Sequence, residues 1–250
     1  MPGGLPIDLS PNSADFQLAG WRIEMQWLDL AFLHWPMTPA ALRPWLPQGV
    51  ELDVWEGQAY LGIVPFAMRG IRARGCPALP GCSCSLELNL RTYVRCGGQA
   101  GVWFFSLDAQ HPVLVYGARA TFALPYYRSR MALDADEGWT RYSSCRVHRG
   151  APPAHFAAAC RASGSSFRAL PGTLEHWLTE RYCFFTVDRR GRLRRCDVRH
   201  APWTLAPAEH LIAKNDMGRI LGLPPFGEPA ICHVAAPLTV RATSLQPAPS

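Results

Sequence analysis

The chain has 250 residues, of which 48% are hydrophobic and 18% are charged, and its formal net charge at pH 7 is +6. These values are typical of a globular protein with a sizeable core, and they exclude a disordered or fibrous chain. Because Lys214 is the only lysine among the 25 basic residues, imine chemistry with a carbonyl substrate must use that residue or be absent.

The N-terminal residues 1–16 have neither a basic start nor an apolar run, and no stretch of about 18 apolar residues occurs anywhere. We therefore expect a soluble, cytoplasmic protein that has no membrane span. The nine cysteines are an odd number, and the tightest group, Cys76, Cys82 and Cys84, has neither C-x-x-C nor zinc-ribbon spacing. We expect reduced thiols and no metal site.

The first elements are predicted to be a strand, a helix and two further strands. Thr38 is a suitable N-cap for the helix, which must end by Pro47. Glu56 and Gly57 predict a tight turn between strands at 50–55 and 59–68.

The segment SLELNLRTYV predicts the most informative strand, because polar and apolar residues alternate along it. Leucines form one face, whereas the other face carries Glu87, Asn89, Arg91 and Tyr93. The polar face is either a ligand-binding constellation or a solvated surface with a cross-strand ion pair. The next segment, 101–109, is apolar on both faces, which favours a covered sheet or a barrel wall and an interior position for the Glu87 face.

The later elements are predicted in less detail. We expect a helix at 111–122 that has Pro112 in its first turn, a strand at 126–133, a helix at 173–180, a hairpin at 181–198, a helix at 207–221 and a final strand at 231–240. No linker divides the chain, so residues 1–250 are predicted to form one domain that has irregular tails at 1–15 and 243–250.

The sequence contains four other groups of residues that could form a site. The arginine-rich hairpin tip resembles a phosphate-binding cluster, but it lacks interleaved aromatics, so nucleic-acid binding remains only a minor alternative. The eight histidines have no metal-ligand spacing, and no nucleophile elbow supports a hydrolase. Lys214 lies among polar residues and is expected to be a surface charge.

Several segments together carry a resemblance to a known family: LAFLHWPMTPAALRPWLP, LGIVPFAMRGIRARG, LELNLRTYV, GVWFFSLDAQHPVLVYGARATFALPYYRSRM, LTERYCFFT and HAPWTLAPAE. They resemble the YqjF-like, DUF2071 family, which is in turn similar to the acetoacetate decarboxylase superfamily. The resemblance implies an α+β, β-rich fold, namely an antiparallel β-barrel or cone that has a few peripheral helices and an interior ligand cavity.

The same resemblance has implications for individual residues. Tyr126 occupies the position of the decarboxylase lysine that forms the Schiff base, and Tyr127 that of its neighbour. Pro36 occupies the position of the arginine that holds the substrate carboxylate, whereas Glu87 matches a glutamate in the decarboxylase cavity. The resemblance thus implies a cavity that keeps a carboxylate but has lost the amine. Among aromatic side chains that carboxylate would have a raised pKa, whereas beside an arginine it would stay ionised.

These observations support two hypotheses. The first is a non-Schiff-base enzyme of lyase, dehydratase, cyclase or isomerase type that acts on a keto or carbonyl compound, with Glu87 and Tyr126 as catalytic residues. The second is a non-catalytic ligand-binding or sensory module. The predicted substrate-binding residues are His34, Trp35, Arg69, Asn89, Arg91, Trp103, Arg119 and Arg181. We expect an anionic or carbonyl-containing small molecule as the ligand and no cofactor, and a homo-oligomer is a further alternative.

Overall fold

A computed structural model describes residues 20–78 and 81–249, and strands dominate that part of the chain. The strands are β1 (Ile23–Leu28), β2 (Leu30–Met37), β3 (Glu51–Leu52), β4 (Ala59–Ala73), β5 (Ser85–Cys96), β6 (Gln99–Ala109), β7 (Tyr126–Asp136), β8 (Trp139–Arg146), β9 (His155–Ala162), β10 (Cys183–Val187), β11 (Leu193–Arg199), β12 (Leu205–Asn215), β13 (Ile231–Ala235), β14 (Leu238–Ala242) and β15 (Gln246–Pro247). The helices are α1 (Pro39–Leu42), α2 (Pro112–Phe122) and α3 (Leu174–Thr179), and 3-10 turns lie at Arg43–Trp45 and Met217–Leu221.

Local sequence signals account for several element ends. Glu56 and Gly57 both have positive φ, at 48° and 80°, as a two-residue hairpin turn requires, and Trp55 and Gln58 exchange two backbone hydrogen bonds of 2.9 Å. α2 has its proline in the first turn and ends at Ala123, which has a left-handed φ of 51°. The N-cap of α3 is Thr173, whose side chain accepts a hydrogen bond from the backbone of His176.

The strand pairings form two closed circuits that share β4, β5 and β6. One circuit runs β1–β4–β5–β6–β10–β11–β14 and returns to β1. The other runs from β6 through β7, β8, β9, β12, β13 and β2 back to β4. All of these pairs are antiparallel except β6–β10 and β6–β7. The predicted β-rich, cone-like architecture is confirmed.

β5 belongs to both circuits, and both faces of this strand are therefore covered. Leu88 and Leu90 are fully buried in the core that β8 and β9 complete with Tyr142 and Phe156. On the opposite face, Glu87, Asn89, Arg91 and Tyr93 are 3%, 5%, 8% and 0% exposed. The alternative of a solvated polar face is therefore wrong.

Two predicted elements in the last third of the chain are wrong. Residues 207–221 were expected to form a helix, but β12 runs through Asn215 and pairs with both β9 and β13. The helix-forming composition was overridden by these tertiary pairings, which impose a burial pattern with a period of two. The expected strand at 231–240 is two strands, since β13 pairs with β2 whereas β14 pairs with β1.

The C-terminal tail also differs from the prediction. Residues 246–247 form β15 against β11, where an irregular stretch was expected. Arg194 Nη2 donates to the carbonyl of Leu245 over 3.2 Å, and the backbone of Ala248 donates to Leu193 over 3.3 Å. These bonds to β11 hold a segment whose own sequence has no strand signal. The predicted tail at 1–15 lies outside the described residues.

Gly101 in β6 lies where two strands approach closely. A Cβ atom at this position would lie 2.7 Å from Phe185 Cε2 and 2.8 Å from Cys183 Sγ. We expect Gly101→Ala to lower the free energy of unfolding by about 1–3 kcal/mol because the packed neighbours must move. Urea denaturation measures this change. As the matched control, Gly117→Ala in α2, where a Cβ meets nothing within 4 Å, should stabilise by about 0.5–1 kcal/mol. Equal effects of the two substitutions would contradict the expectation.

In the part of the chain that the structure describes, no helix is long and apolar enough to cross a membrane.

Candidate active site

The centre of the candidate site is a hydrogen bond between Tyr126 and Glu87. In the strand register Glu87 is opposite Ala109 of β6, and Tyr126 is opposite Leu107, so β6 places both side chains on one face. Tyr126 Oη donates to Glu87 Oε2 over 2.8 Å. Two acidic groups that are 39 residues apart in the chain therefore meet inside the fold.

Burial dominates the electrostatics of this pair. It raises the pKa of Glu87 to about 8, against the lowering effect of hydrogen bonds from Tyr126 and Asn89, and the charge of Asp108 raises that pKa further. The pKa of Tyr126 lies well above its usual value because of burial and the Glu87 charge. At neutral pH Glu87 is therefore mostly protonated and close to its titration range, whereas Tyr126 remains a hydrogen-bond donor.

The segment before Tyr126 fixes the position of its side chain. The backbone turns at Ala123, and Leu107 donates to the carbonyl of Pro125 over 3.0 Å. Arg119 Nη1 donates to the Tyr126 carbonyl over 2.6 Å, which ties the end of α2 to the start of β7. Tyr127 has a different environment, because the Arg146 guanidinium lies 4.2 Å from its ring centroid. Only the first of the two tyrosines faces Glu87.

A second polar group on the same face of β5 centres on Tyr93. His34 Nε2 lies 2.6 Å from Tyr93 Oη, and Arg91 Nη2 donates to the same oxygen over 3.3 Å. Burial and the Arg91 charge hold the pKa of His34 well below its usual value, so its ring is neutral. The bond between His34 Nε2 and Tyr93 Oη contains one proton, which either group can supply, and Arg91 adds a second donor to the same oxygen.

Arg181 also lies close to the Tyr93 ring, and it has a carboxylate partner. Its Nη1 donates to Asp53 Oδ2 over 2.6 Å, and its Nε donates to the carbonyl of Trp177 over 2.6 Å. The guanidinium lies 5.2 Å from the centroid of the Tyr93 ring. Asp53 also accepts from Arg95 over 2.9 Å, so this carboxylate is shared by two arginines.

The remaining predicted binding residues lie elsewhere. Trp35 faces the opposite side of β2 from His34 and donates to the carbonyl of Gly227 over 2.7 Å, while Arg69 is exposed. Trp103 and Arg119 line a surface groove of about 580 Å³ that passes over Leu124 and Pro125. Six of the predicted residues therefore lie on this covered face or directly beside it: Glu87, Tyr126, Asn89, Arg91, His34 and Arg181. The other four do not lie there: Trp35, Arg69, Trp103 and Arg119.

Two residues on or beside this face, Tyr93 and His200, were not among the predicted binding residues. Tyr93 continues the alternation of Glu87, Asn89 and Arg91, so the pattern itself was a signal for it. His200 gave no such signal, because it reaches Arg91 only through tertiary structure. It is buried, its ring is stacked 4.9 Å from that of Tyr182, and burial together with the Arg91 charge lowers its pKa.

The remaining basic residues that were considered as sites have ordinary surface partners. Lys214 lies on β12 with its side chain 54% exposed, and its Nζ is 3.4 Å from Asp216 Oδ2. In the arginine-rich hairpin, Arg192 pairs with Asp188 over 2.9 Å and Arg195 pairs with Asp197 over 2.9 Å. Within the described residues no group of three or more His, Cys, Asp or Glu side chains is arranged to hold a metal ion.

The sequence matches a known protein family and one of its relatives. The model of the DUF2071 family, described as an uncharacterized conserved protein, matches residues 24–239. The uncharacterized protein YqjF of Bacillus subtilis (strain 168) is 40% identical over 195 residues, which cover 78% of this chain and 79% of YqjF.

Similar solved structures extend the comparison to enzymes. The enduracididine biosynthesis enzyme MppR, complexed with the condensation product of pyruvate and imidazole 4-carboxaldehyde, has a TM-score of 0.62 at 15% identity, covering 98% of this chain and 96% of MppR. Acetoacetate decarboxylase from Legionella pneumophila has a TM-score of 0.58 at 14% identity, covering 90% and 87%. At these identities the likeness shows the fold, and the predicted acetoacetate decarboxylase-like fold is confirmed.

Proposed function

Since the chain belongs to the DUF2071 family and has the fold of acetoacetate decarboxylase-like enzymes, we propose that it binds a small carbonyl compound and transfers a proton with Glu87 and Tyr126. The observation that carries this proposal is the 2.8 Å hydrogen bond between the two side chains on a covered sheet face. A buried carboxyl group whose pKa lies near the working pH is suited to general acid–base catalysis.

The proposed step needs only these two side chains. Tyr126 donates a hydrogen bond to the carbonyl oxygen, and the ionised fraction of Glu87 takes a proton from the adjacent carbon. The C–H bond breaks, an O–H bond forms on Glu87, and the electron pair moves to the oxygen that Tyr126 faces. Return of the proton to another atom gives an isomerase, and loss of a leaving group from the enolate gives a lyase or dehydratase.

Covalent lysine catalysis is not part of this proposal. Lys214 has an exposed side chain on β12 and is paired with Asp216. Where the family resemblance places the imine-forming lysine, this chain has Tyr126, which cannot form an imine. Borohydride reduction in the presence of pyruvate should therefore leave the mass of the protein unchanged, and a stable adduct on Lys214 would contradict the proposal.

The similar structures support a carbonyl ligand. MppR was solved with pyruvate and with a condensation product of pyruvate. In the present chain the groove of about 580 Å³ is lined by Leu124, Pro125 and Tyr127, which are neighbours of Tyr126 in the sequence.

Deuterium exchange tests the proposed step directly. Keto acids and ketones are incubated with the protein in D2O, and loss of the signal of the protons next to the carbonyl is followed by NMR. We expect Glu87→Gln to slow exchange at least about 100-fold and Tyr126→Phe to slow it by about 10- to 100-fold. Tyr127→Phe is the matched control and should exchange at the wild-type rate.

The outcome also separates catalysis from binding. Exchange that is equally fast in Glu87→Gln and in the wild type would contradict the proposed role of Glu87. A compound that raises the Tm of the wild type but exchanges no protons would favour the non-catalytic binding module.

A further inference from the structure

The most unusual buried charge in the described residues is that of Arg91. The residue is 8% exposed, and the acceptors of its guanidinium are the Tyr93 hydroxyl at 3.3 Å and the Leu178 carbonyl at 3.5 Å, both neutral. No carboxylate of the described residues forms an ion pair with it. Buried arginines are ordinarily paired, because an isolated charge in a low-dielectric interior is costly.

Two nitrogen atoms near this charge have no hydrogen-bond partner in the described residues. One is Arg91 Nε, which is always a donor, and the other is His34 Nδ1. A buried polar atom without a partner costs free energy, so both atoms point to a partner that a ligand would supply. Between Arg91 and Glu87 on the same face, Asn89 Oδ1 is an unpartnered acceptor that would suit a hydroxyl group or a water molecule.

The neighbouring carboxylates are engaged elsewhere. Asp53 accepts from Arg95 and Arg181, and Glu180 accepts from the Tyr182 hydroxyl and from the backbone of Trp203. The positive charge of Arg91 therefore has no counter-ion of its own among these groups.

A glycine in the neighbouring strand allows His34 and Arg91 to pack close to the sheet. Gly62 of β4 is opposite both His34 and Arg91 in the strand register. A Cβ atom at Gly62 would lie 3.3 Å from His34 Cδ2 and 3.4 Å from Arg91 Cγ. The glycine allows both side chains to lie close against the sheet, which holds their donors in one region of the interior.

We propose that the Arg91 end of this face binds a carboxylate, and that His34 carries its ring proton on Nδ1 and donates it to the same carboxylate. Resting on the proposed function, this carboxylate belongs to the same molecule whose carbonyl meets Glu87 and Tyr126. The substrate class is then an oxo acid whose two groups are several bonds apart, because residues 87 and 91 are separated by about 13 Å along a regular strand.

Thermal unfolding with acetate tests the carboxylate site. Sodium acetate replaces sodium chloride at constant ionic strength and pH 7. For the wild type we expect a saturable rise in Tm of about 3–6 °C at ten times the half-saturating concentration. Arg91→Met should remove this response. Arg130→Met, which removes an exposed arginine, should keep it. An unresponsive wild type, or a response that persists in Arg91→Met, would overturn the inference.

If Arg91→Met does not fold, Arg91→Lys is used to test the proposal instead. Lysine keeps the charge but lacks the Nε–H donor and the planar fork. The half-saturating acetate concentration should then rise several-fold relative to the control Arg130→Lys. Equal values for the two variants would overturn the proposal.

A further comparison separates this inference from the proposed function. Octanoate and 7-oxooctanoate carry the same carboxylate, and only the second has a carbonyl, at the far end of the chain. Stronger binding of the oxo acid, lost in Tyr126→Phe, supports both claims. Equal binding of the two acids that still depends on Arg91 leaves the carboxylate site in place and contradicts the carbonyl site at Tyr126.

Discussion

The wild-type protein should lose roughly 4 kcal/mol of stability through Glu87 alone as the pH rises from about 4.5 to about 8. The folded state raises the pKa of this carboxyl from 4.5 to about 8, so between these values the folded state binds more protons than the unfolded state. The free energy of unfolding therefore falls as pH rises. The contribution is fully present below the unfolded pKa and is lost once the pH has passed the folded pKa.

Urea denaturation at pH 5, 6, 7 and 8 measures this dependence, and Glu87→Gln isolates it. Glutamine keeps an acceptor for Tyr126 but cannot ionise, so the difference between wild type and variant should change by several kcal/mol across the range. Buried His34 and His200, whose pKa values are lowered, act in both proteins and cancel in this difference. Glu51→Gln removes an exposed carboxylate and should follow the wild type. Parallel profiles for wild type and Glu87→Gln would contradict the prediction.

Asp108→Asn is expected to lower the free energy of unfolding by about 3–5 kcal/mol and Tm by about 6–20 °C. Asp108 and Arg146 side chains are each 1% exposed, and the guanidinium donates to both carboxylate oxygens, over 2.8 and 2.9 Å. Ser129 adds a third hydrogen bond of 3.0 Å to the same carboxylate. Asparagine would leave the Arg146 charge buried without a counter-ion, and removing one partner of a buried pair costs more than the pair itself contributes.

This ion pair also supports the candidate site. Asp108 is opposite Tyr127 in the β6–β7 register, directly beside the pair that places Tyr126. Differential scanning calorimetry measures the loss. The control is Glu209→Gln, which breaks an ion pair with Arg161 in which the Arg161 side chain is 43% exposed and the Glu209 side chain is 54% exposed. This substitution should lower the free energy of unfolding by less than about 1 kcal/mol. An equal loss of unfolding free energy in the two variants would contradict the prediction that the buried ion pair is the more important of the two for stability.

Elements with a local signal were predictable from the sequence. The turn at Glu56 and Gly57 and the helix beginning at Pro112 depend on backbone preferences of the residues themselves. The alternation along β5 likewise follows from the strand period. Where composition and tertiary pairing disagree, the prediction failed: residues 207–215 contain good helix formers, but they pair with β9 and β13 as a strand.

For the candidate site, too, local properties were predictable from the sequence and long-range contacts were not. The sequence alone determined the chemical inventory, namely a single lysine, a tyrosine at 126 and a polar strand face with Glu87 and Arg91, because residue identity and strand period are local properties. Only the tertiary structure decided that Tyr126 donates to Glu87, that burial raises the pKa of this carboxyl, and that Arg91 lies buried without a carboxylate. These properties depend on which strands pair and what covers them, and such long-range contacts have no counterpart in the pattern of neighbouring residues.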